Sequence, residues 1–338
     1  MNTVLVTGGY GYIGSHTVIA LQEKGFDCVI LDSLVNSDLS VGNRIEKISG
    51  KKHRFYNVDI KNRSALLDVF TQEGSIDAVI HFAALKSVNE SVTDPIKYFD
   101  NNVSGLINVI QACEQHSADL VFSSSCTVYG SAIKMPLKET ASTDKQESPY
   151  GATKAIGEML INHGLVNKKF KSISLRYFNP VGAHESGLIG EMQTIKSKNL
   201  LPIIVDVALQ NRTNLEIFGD NYPTFDGSCI RDFVHVCDVA EAHVSALTYM
   251  QSQENFFYEV FNIGVGKGTS VFEMVSKFEE INMLKINKRI SERRAGDIAV
   301  SWADITKSKL ILGWEATRSL EDIVKTAWNF AIEMKRQS

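Results

Sequence analysis

Nowhere in this sequence do about eighteen apolar residues follow one another, so no membrane-spanning helix is expected. Positive charge is not in surplus either: 35 Lys and Arg stand against 39 Asp and Glu, giving a formal net charge of −4 and a pI near 6.1. That balance supplies no electrostatic footprint for a nucleic acid. The five cysteines, Cys28, Cys113, Cys126, Cys229 and Cys237, are odd in number and scattered, without a Cys-x-x-Cys pair. With no His-Glu-x-x-His run beside them, they read as reduced thiols of a cytoplasmic protein without a metal site. Internal repeats, low-complexity tracts and disordered linkers are also missing. A signal peptide is not expected, because "MNTVLVTGG" opens the chain as a strand and a turn.

What is there is an ordinary globular composition, 44% hydrophobic and 22% charged, over a length that suggests about two domains. "TVLVTGGYGYIGSHTVIALQEKG" reads as strand, glycine turn and helix, with Gly25 closing the helix. Gly8, Gly11 and Gly14 are spaced three apart, and Gly9, Gly11 and Gly14 satisfy Gly-x-Gly-x-x-Gly. Such glycines let the backbone approach a pyrophosphate, and the helix start with its free N–H groups favours the anion. Asp32 ends the next apolar run, "DCVILDS", eighteen residues after Gly14, where a carboxylate can take the adenosine ribose hydroxyls. Its charge repels a 2′-phosphate, which favours NAD over NADP as the cofactor.

The alternation continues. "RFYNVDI", "DAVIHFAAL", "DLVFSSS" and "SISLRYFN" read as strands, and "DPIKYFDNNVSGLINVIQACEQ" as a helix with Asp94 as N-cap and Pro95 at its first position. The expected fold is therefore α/β, a doubly wound parallel Rossmann sheet with ligands at the carboxyl ends of its strands. Asp59, Ala83, Lys86 and Ser125 fall at or just past such ends. His81, inside an apolar strand, reads as a packed core histidine. From about residue 180 the alternation loosens, which divides the chain into a cofactor domain, 1–180, and a smaller C-terminal α/β substrate domain, 181–338.

"SPYGATKAIGE" sets Tyr150 and Lys154 four positions apart, on one face of a helix, and "FSSSCTVYG" brings Ser125 out of a strand before them. Free tyrosine titrates near about 10, too high for a general base at neutral pH. An ammonium roughly 4 Å away, at an effective dielectric of about 20, contributes on the order of 4 kcal/mol, about three pK units. On that arithmetic the phenol is expected near 7, with the positive nicotinamide of NAD helping and desolvation opposing. The serine hydroxyl can orient a substrate hydroxyl and relay its proton.

"TGGYGYIGSH", "SSSCTVYG", "YGATK" and "LRYFNPVGAH" resemble the extended short-chain dehydrogenase/reductase family, and within it the epimerases of nucleotide sugars, over nearly the whole chain. The resemblance implies that Tyr150 is the base, that Lys154 lowers its pKa and holds the nicotinamide ribose, and that Ser125 assists. It implies a cofactor site of Gly8, Gly11, Gly14, Tyr12, Ile13, Asp32, Asn36, Ser37, Asp59, Ile60, Phe82, Ala83, Lys86, Asn101 and Phe178 beside Tyr150 and Lys154. For a UDP-sugar it implies Lys86, Ser125, Asn179, Asn199, Leu200, Phe218, Arg231, Arg294, Asp297 and Ser301, the two arginines on the pyrophosphate. The implied reaction interconverts UDP-glucose and UDP-galactose through a 4-keto sugar that turns over between removal and return of the C4 hydride. Segments from about 230–263 are expected to return to the first domain, and homodimers are implied. Arg293 reads as a surface residue, and His235 and His243 as structural.

Ser301 stands where some members restricted to non-acetylated sugars carry a tyrosine, so the chain is expected to take UDP-GlcNAc and UDP-GalNAc as well. "AGDIAV" also lacks a proline often found in relatives. Cys126 and Thr127 replace the acidic residues with which the family's dehydratases eliminate water, and Cys126 reads as a small packing residue. The competing readings are a nucleotide-sugar 4-reductase or dehydrogenase on the same fold, and a non-catalytic NAD- or sugar-binding module.

Overall fold

A computed structural model of the chain describes residues 3–131, 134–165, 169–192, 199–294 and 297–337. β1 (Thr3–Thr7) leads through the glycine turn into α1 (Tyr12–Glu23), followed by β2 (Asp27–Asp32), α2 (Ser40–Ser49), β3 (Arg54–Asn57), α3 (Arg63–Glu73) and β4 (Ala78–His81). Then come α4 (Val88–Thr93), α5 (Pro95–Phe99), α6 (Gly105–His116), β5 (Asp119–Ser125), α7 (Pro149–Gly164) and β6 (Ser172–Tyr177). The second half runs β7 (Asn179–Val181), α8 (Leu200–Ala208), β8 (Leu215–Phe218), β9 (Ile230–Arg231), β10 (Phe233–His235), α9 (Val236–Gln251) and β11 (Tyr258–Ile263). It ends with β12 (Thr269–Ser270), α10 (Val271–Asn282), β13 (Lys288–Ser291), β14 (Val300–Ser301) and α11 (Leu320–Gln337).

Seven parallel strands form the main sheet in the order β11-β6-β5-β4-β1-β2-β3. β4, β5 and β6 are buried along their whole length, which is why they read as unbroken apolar or small-residue runs rather than alternating ones. One face carries Val4, Val6, Ile30 and Ile80 against α1 and α9; the other carries Leu5, Val29, Val79 and Leu120 against α3 and α6. Each such side chain contributes about 1.5–3 kcal/mol on burial. The sheet reverses direction of growth between β1 and β4, the point at which sheets of this kind take ligands at their carboxyl ends. A separate core of Leu201, Ile204, Leu215, Met274, Phe278 and Val324 holds the second half together.

Two expected elements differ in detail. Asp94 does cap the helix, accepting from the Lys97 N–H at 3.3 Å with Pro95 first, but Asp100–Ser104 is a π-helical turn joining α5 to α6. The extra residue aims Asn102 inward, where its side chain takes both the N–H and the carbonyl of Leu85. "SISLRYFN" is not one strand: Phe178 still donates to Ile263, but Asn179 turns to the Asp232 carbonyl and begins β7 beside β10. The chain changes sheets there because the next ladder partner belongs to the second half.

Candidate active site

Gly8 leaves β1 at φ +70°, and a Cβ there would lie 2.8 Å from the Ala83 nitrogen. At Gly14 a Cβ would lie 2.2 Å from the Gly8 carbonyl oxygen, so α1 can approach the turn only with glycine at both places. Gly11 differs, since its only close neighbour is the Gly8 oxygen at 3.1 Å. It is the N-cap of α1, no side chain caps the helix, and no acid sits in the first turn. The first-turn N–H groups, Tyr12 and Ile13 among them, are thus offered to an anion, and the cradle fits a pyrophosphate.

Asp32 is buried at the end of β2, where its carboxylate accepts from Tyr10 N (3.1 Å), Leu34 N (2.9 Å) and the Ser37 hydroxyl (2.8 Å). A carboxylate has about four acceptor positions, so room for a ribose hydroxyl remains. Asn36 is exposed beside it. Asp59 is exposed past β3 and accepts from the Lys61 N–H, while Ile60 is buried beneath Gly105. The Phe82 ring packs on His243, centroids 4.7 Å apart, so Phe82 and Ala83 meet Gly8 through backbone atoms. Asn101 bonds Asn102, and Phe178 is buried next to Cys126. Tyr12 donates its hydroxyl to the Gly182 carbonyl at 2.6 Å, and the Lys86 ammonium lies 5.6 Å from its ring.

Ser125 closes β5. Its hydroxyl oxygen accepts from the Thr127 N–H and hydroxyl at 3.2 and 3.0 Å. Ser148 caps α7 by accepting from Gly151, and Pro149 takes the first position, which places Tyr150 and Lys154 on successive turns. Lys154 is buried, donates to the Ser123 carbonyl at 2.6 Å, and lies 4.9 Å from the Phe122 ring and 5.9 Å from that of Tyr150. Burial pushes the lysine down to about 7, with Glu158 opposing. Burial also pushes the Tyr150 phenol well above its ordinary range, with the Ser125 hydrogen bond opposing.

The expectation of a phenol near neutrality is therefore corrected for the protein alone. The ammonium points to the Ser123 carbonyl rather than at the phenol, whose ring it approaches only to 5.9 Å, and desolvation dominates at the phenol.

Arg231 on β9 pairs with Asp297 at 3.6 Å and lies close enough to Cys126, the residue after Ser125, to act on its thiol electrostatically. Ser301, buried on β14, is in register with Arg231. The next residue, Asp232, is fully buried and accepts from the N–H groups of Val265, Gly266 and Ala303, which ties three segments together. Arg294 stacks 3.8 Å from the Phe218 ring. Asn179 donates to the Asp232 carbonyl, Asn199 heads α8, and Leu200 is its first residue. Lys86 and Asn199 share one acceptor, Oε1 of Glu191, at 2.9 and 3.3 Å. Exposed Arg293 bonds Asn221 and covers Tyr222. Of the "AGDIAV" loop, residues 295 and 296 lie outside the described residues.

The three histidines read as structural are each held by hydrogen bonds within the fold. His81 bonds the Thr7 hydroxyl at 2.8 Å, His235 accepts from Cys237 N, and His243 lies between Tyr177 and Val239. Cys126 packs in an apolar cluster with Val128, Tyr129 and Leu137, and burial pushes its thiol up to about 12. Glu158, Arg176, Asn102, Asp232 and Glu191 were not singled out from sequence. A charged residue inside an apolar strand, as in "SISLRYFN", and a second charge one turn past Lys154 were the available signals.

Residues 4–264 match the model of the NAD dependent epimerase/dehydratase family, and the chain belongs to that family. It is 45% identical to a UDP-glucose 4-epimerase of Erwinia amylovora over 332 residues, 97% of each chain. Among solved structures it superposes on UDP-glucose-4-epimerase from Stenotrophomonas maltophila, with bound NAD and formylated UDP-arabinopyranose, at a TM-score of 0.96, 44% identity and full coverage of both chains. It also superposes on the UDP-Glc/GlcNAc 4-epimerase of Campylobacter jejuni at 0.86, with 32% identity over 98% of this chain and 100% of that one.

Proposed function

We propose that this chain is a UDP-hexose 4-epimerase, interconverting UDP-glucose and UDP-galactose by transient oxidation at C4 of the sugar. The observation that carries the reading is Tyr150 and Lys154 one turn apart on a capped helix beside Ser125, at the carboxyl end of the sheet, with Arg231 close by. NAD, when bound, would supply the hydride acceptor and donor and a positive charge. Gly8, Gly11, Gly14 and the first turn of α1 would hold its pyrophosphate, and Asp32 its adenosine ribose. Tyr150 takes the C4 hydroxyl proton and returns it, Ser125 orients that hydroxyl, and the Lys154 ammonium favours the phenolate. Arg231 and Arg294 hold the diphosphate while the 4-keto sugar presents its other face. The cycle has no net redox change. Purified protein without added cofactor should convert UDP-galactose to UDP-glucose with no stoichiometric build-up of NADH; a build-up, or a requirement for added cofactor at every turnover, would point to the reductase reading instead.

The same site takes UDP-GlcNAc and UDP-GalNAc. Ser301 supports this, because a small side chain in register with Arg231 leaves volume beside the sugar that a phenol ring would fill. Ser301→Tyr should depress turnover of the acetylated pair at least tenfold more than that of the plain pair. Wild-type protein that turns over UDP-galactose but neither acetylated sugar overturns this part.

The chain works as a homodimer. Val88, Val92, Ile96, Ile107 and Met159 on α4 to α7 are exposed, Ile96 to 75%, and together offer an apolar helical face to a second copy. Sedimentation of the wild type against Ile96→Glu tests it, a monomeric wild type being the contrary result. The free cysteines suit a cytoplasmic setting. The cofactor domain spans 1–180 with α9 and β11 returned to it, and the substrate domain the rest, in keeping with the packing of α9 against α1.

A further inference from the structure

One turn beyond Lys154 on α7, Glu158 is buried to 7% exposure and meets Arg176 of β6, itself 5% exposed. The pair is bidentate, Nε to Oε1 at 2.8 Å and Nη2 to Oε2 at 2.5 Å, and the Ser124 hydroxyl adds a bond to Oε1 at 2.5 Å. Arg176 spends its remaining fork on the Tyr129 hydroxyl and the Glu139 carbonyl, and Tyr129 donates to Asn262 of β11. Every polar atom of the cluster has a partner, and the formal charges of Glu158 and Arg176 cancel. A buried ion pair of this kind adds little stability over an apolar pair of the same volume. Its placement is what distinguishes it.

Three successive residues of β5 each meet one of three residues spaced a turn apart on α7. Ser124 bonds Glu158, the Ser123 carbonyl accepts from Lys154, and the Ser125 hydroxyl stands close enough to Tyr150 to favour its ionised form. We propose that Glu158, anchored by Arg176 and Ser124, is a positioning residue for the epimerase reaction: it fixes the register of α7 on β5 and thereby the placing of Tyr150 and Lys154 on that helix. The proposal rests on the epimerase reading of the site. The groups facing Lys154 are Tyr150 and Glu158 on its own helix and His81 on β4. Around them stand Tyr98 of α5, Cys126 after β5, and Tyr177 and Arg176 of β6. His81 is neutral, pushed down to about 3 by burial, and Glu158 is the acid that opposes the desolvation of the lysine.

The test compares Glu158→Gln, Glu158→Asp and Ser124→Ala with wild type, following kcat and KM for UDP-galactose against pH and titrating the Tyr150 phenol by ultraviolet difference against Tyr150→Phe. Glu158→Gln keeps the shape and removes the charge. Its active pH window should narrow from the alkaline side, as Lys154 loses its proton more readily without the nearby carboxylate, and from the acid side, as the loosened register sets Lys154 and Ser125 less well against the phenol. Each limb should move by about one pH unit, with kcat near neutrality down about tenfold or more. KM should stay within about threefold, because the substrate contacts are elsewhere. Ser124→Ala should lower kcat by a few-fold with the limbs unmoved, and Glu158→Asp should restore the limbs. A folded Glu158→Gln with lower thermal stability but a wild-type pH profile and phenol titration overturns the proposal. If that variant does not fold, wild-type kcat and profile in both milder variants overturn it. Wild-type protein without epimerase activity overturns the epimerase reading alone, since the phenol titrations still differ or coincide.

Discussion

The two halves of the molecule build their sites in different ways. The cofactor half takes its contacts from the ends of adjacent parallel strands, and its key turn is closed within seven residues, Gly8 to Gly14. The residues read as the substrate site come from four segments: Phe218 on β8 and Arg294 after β13, whose strands pair with each other, and Arg231 on β9 and Ser301 on β14, which pair in a short three-stranded sheet braced by the buried Asp232 carboxylate. A local motif can be tuned by one turn of backbone. A site assembled from four segments depends on the packing between them.

The largest effect should come from the joint of the two halves. Tyr150→Phe should lower turnover by about 10²–10⁴-fold while purified protein still carries NAD, measured by product analysis and cofactor release on denaturation. Unchanged turnover would remove Tyr150 as the base. Next, Gly14→Ala and Gly11→Ala should separate packing from binding within the cofactor half. At Gly14 the new methyl meets a backbone oxygen at 2.2 Å, so about 1–3 kcal/mol of stability should be lost together with NAD. At Gly11 the closest atom is at 3.1 Å, so NAD retention should fall with less change in stability. Equal melting shifts for the two would erase that distinction.

In the substrate half, Arg231→Ala should raise KM for UDP-galactose by about 1.5–3 kcal/mol, roughly ten- to a hundredfold, and leave NAD content unchanged. Arg293→Ala, at an exposed position, should change KM by less than about threefold.

The smallest effect is a pH difference between the halves. Burial pushes His16 and His81 down to about 3 and His235 and His243 to about 4. Unfolded histidine titrates near about 6.5, so below that pH the unfolded chain binds more protons, and stability present above it is lost as pH falls toward the folded values. Each histidine contributes about 1.4 kcal/mol per pH unit once the pH is well below 6.5. Asp232, pushed up to about 6 by burial, has the opposite sign, because the folded state takes its proton first. His16, His81 and His243 lie in the cofactor half, His235 and Asp232 in the other, so opening free energies from amide exchange, corrected for the slower intrinsic exchange at acid pH, should fall more in the first half between about pH 7.5 and 5.5. An equal fall in both would show that the acid response is not set by these groups.

Much of the cofactor half was readable because its signals are short-range. Asp94 as a cap, the glycine spacing, and the end of β2 at Asp32 all follow from neighbours within a few residues. The π-helical turn at Asp100–Ser104 was not readable, because its cause is a contact between Asn102 and Leu85 across a loop. The break at Phe178 was hidden for a similar reason: the partners that end one ladder and begin the next, Ile263 and Asp232, are more than fifty residues away. Arg176 stood visible in an apolar strand, but its partner Glu158 could be named only once α7 lay on β5.

From residue order alone came the parallel sheet, the anion cradle at the start of α1, and the placing of Tyr150 and Lys154 on one helical face, since backbone conformation and helical period are local properties. Only the folded structure decided how those two groups ionise. Desolvation and charge pairing depend on which distant segments close over a side chain, and here they turned Lys154 toward a carbonyl, raised the phenol, and set a buried carboxylate–guanidinium pair behind both.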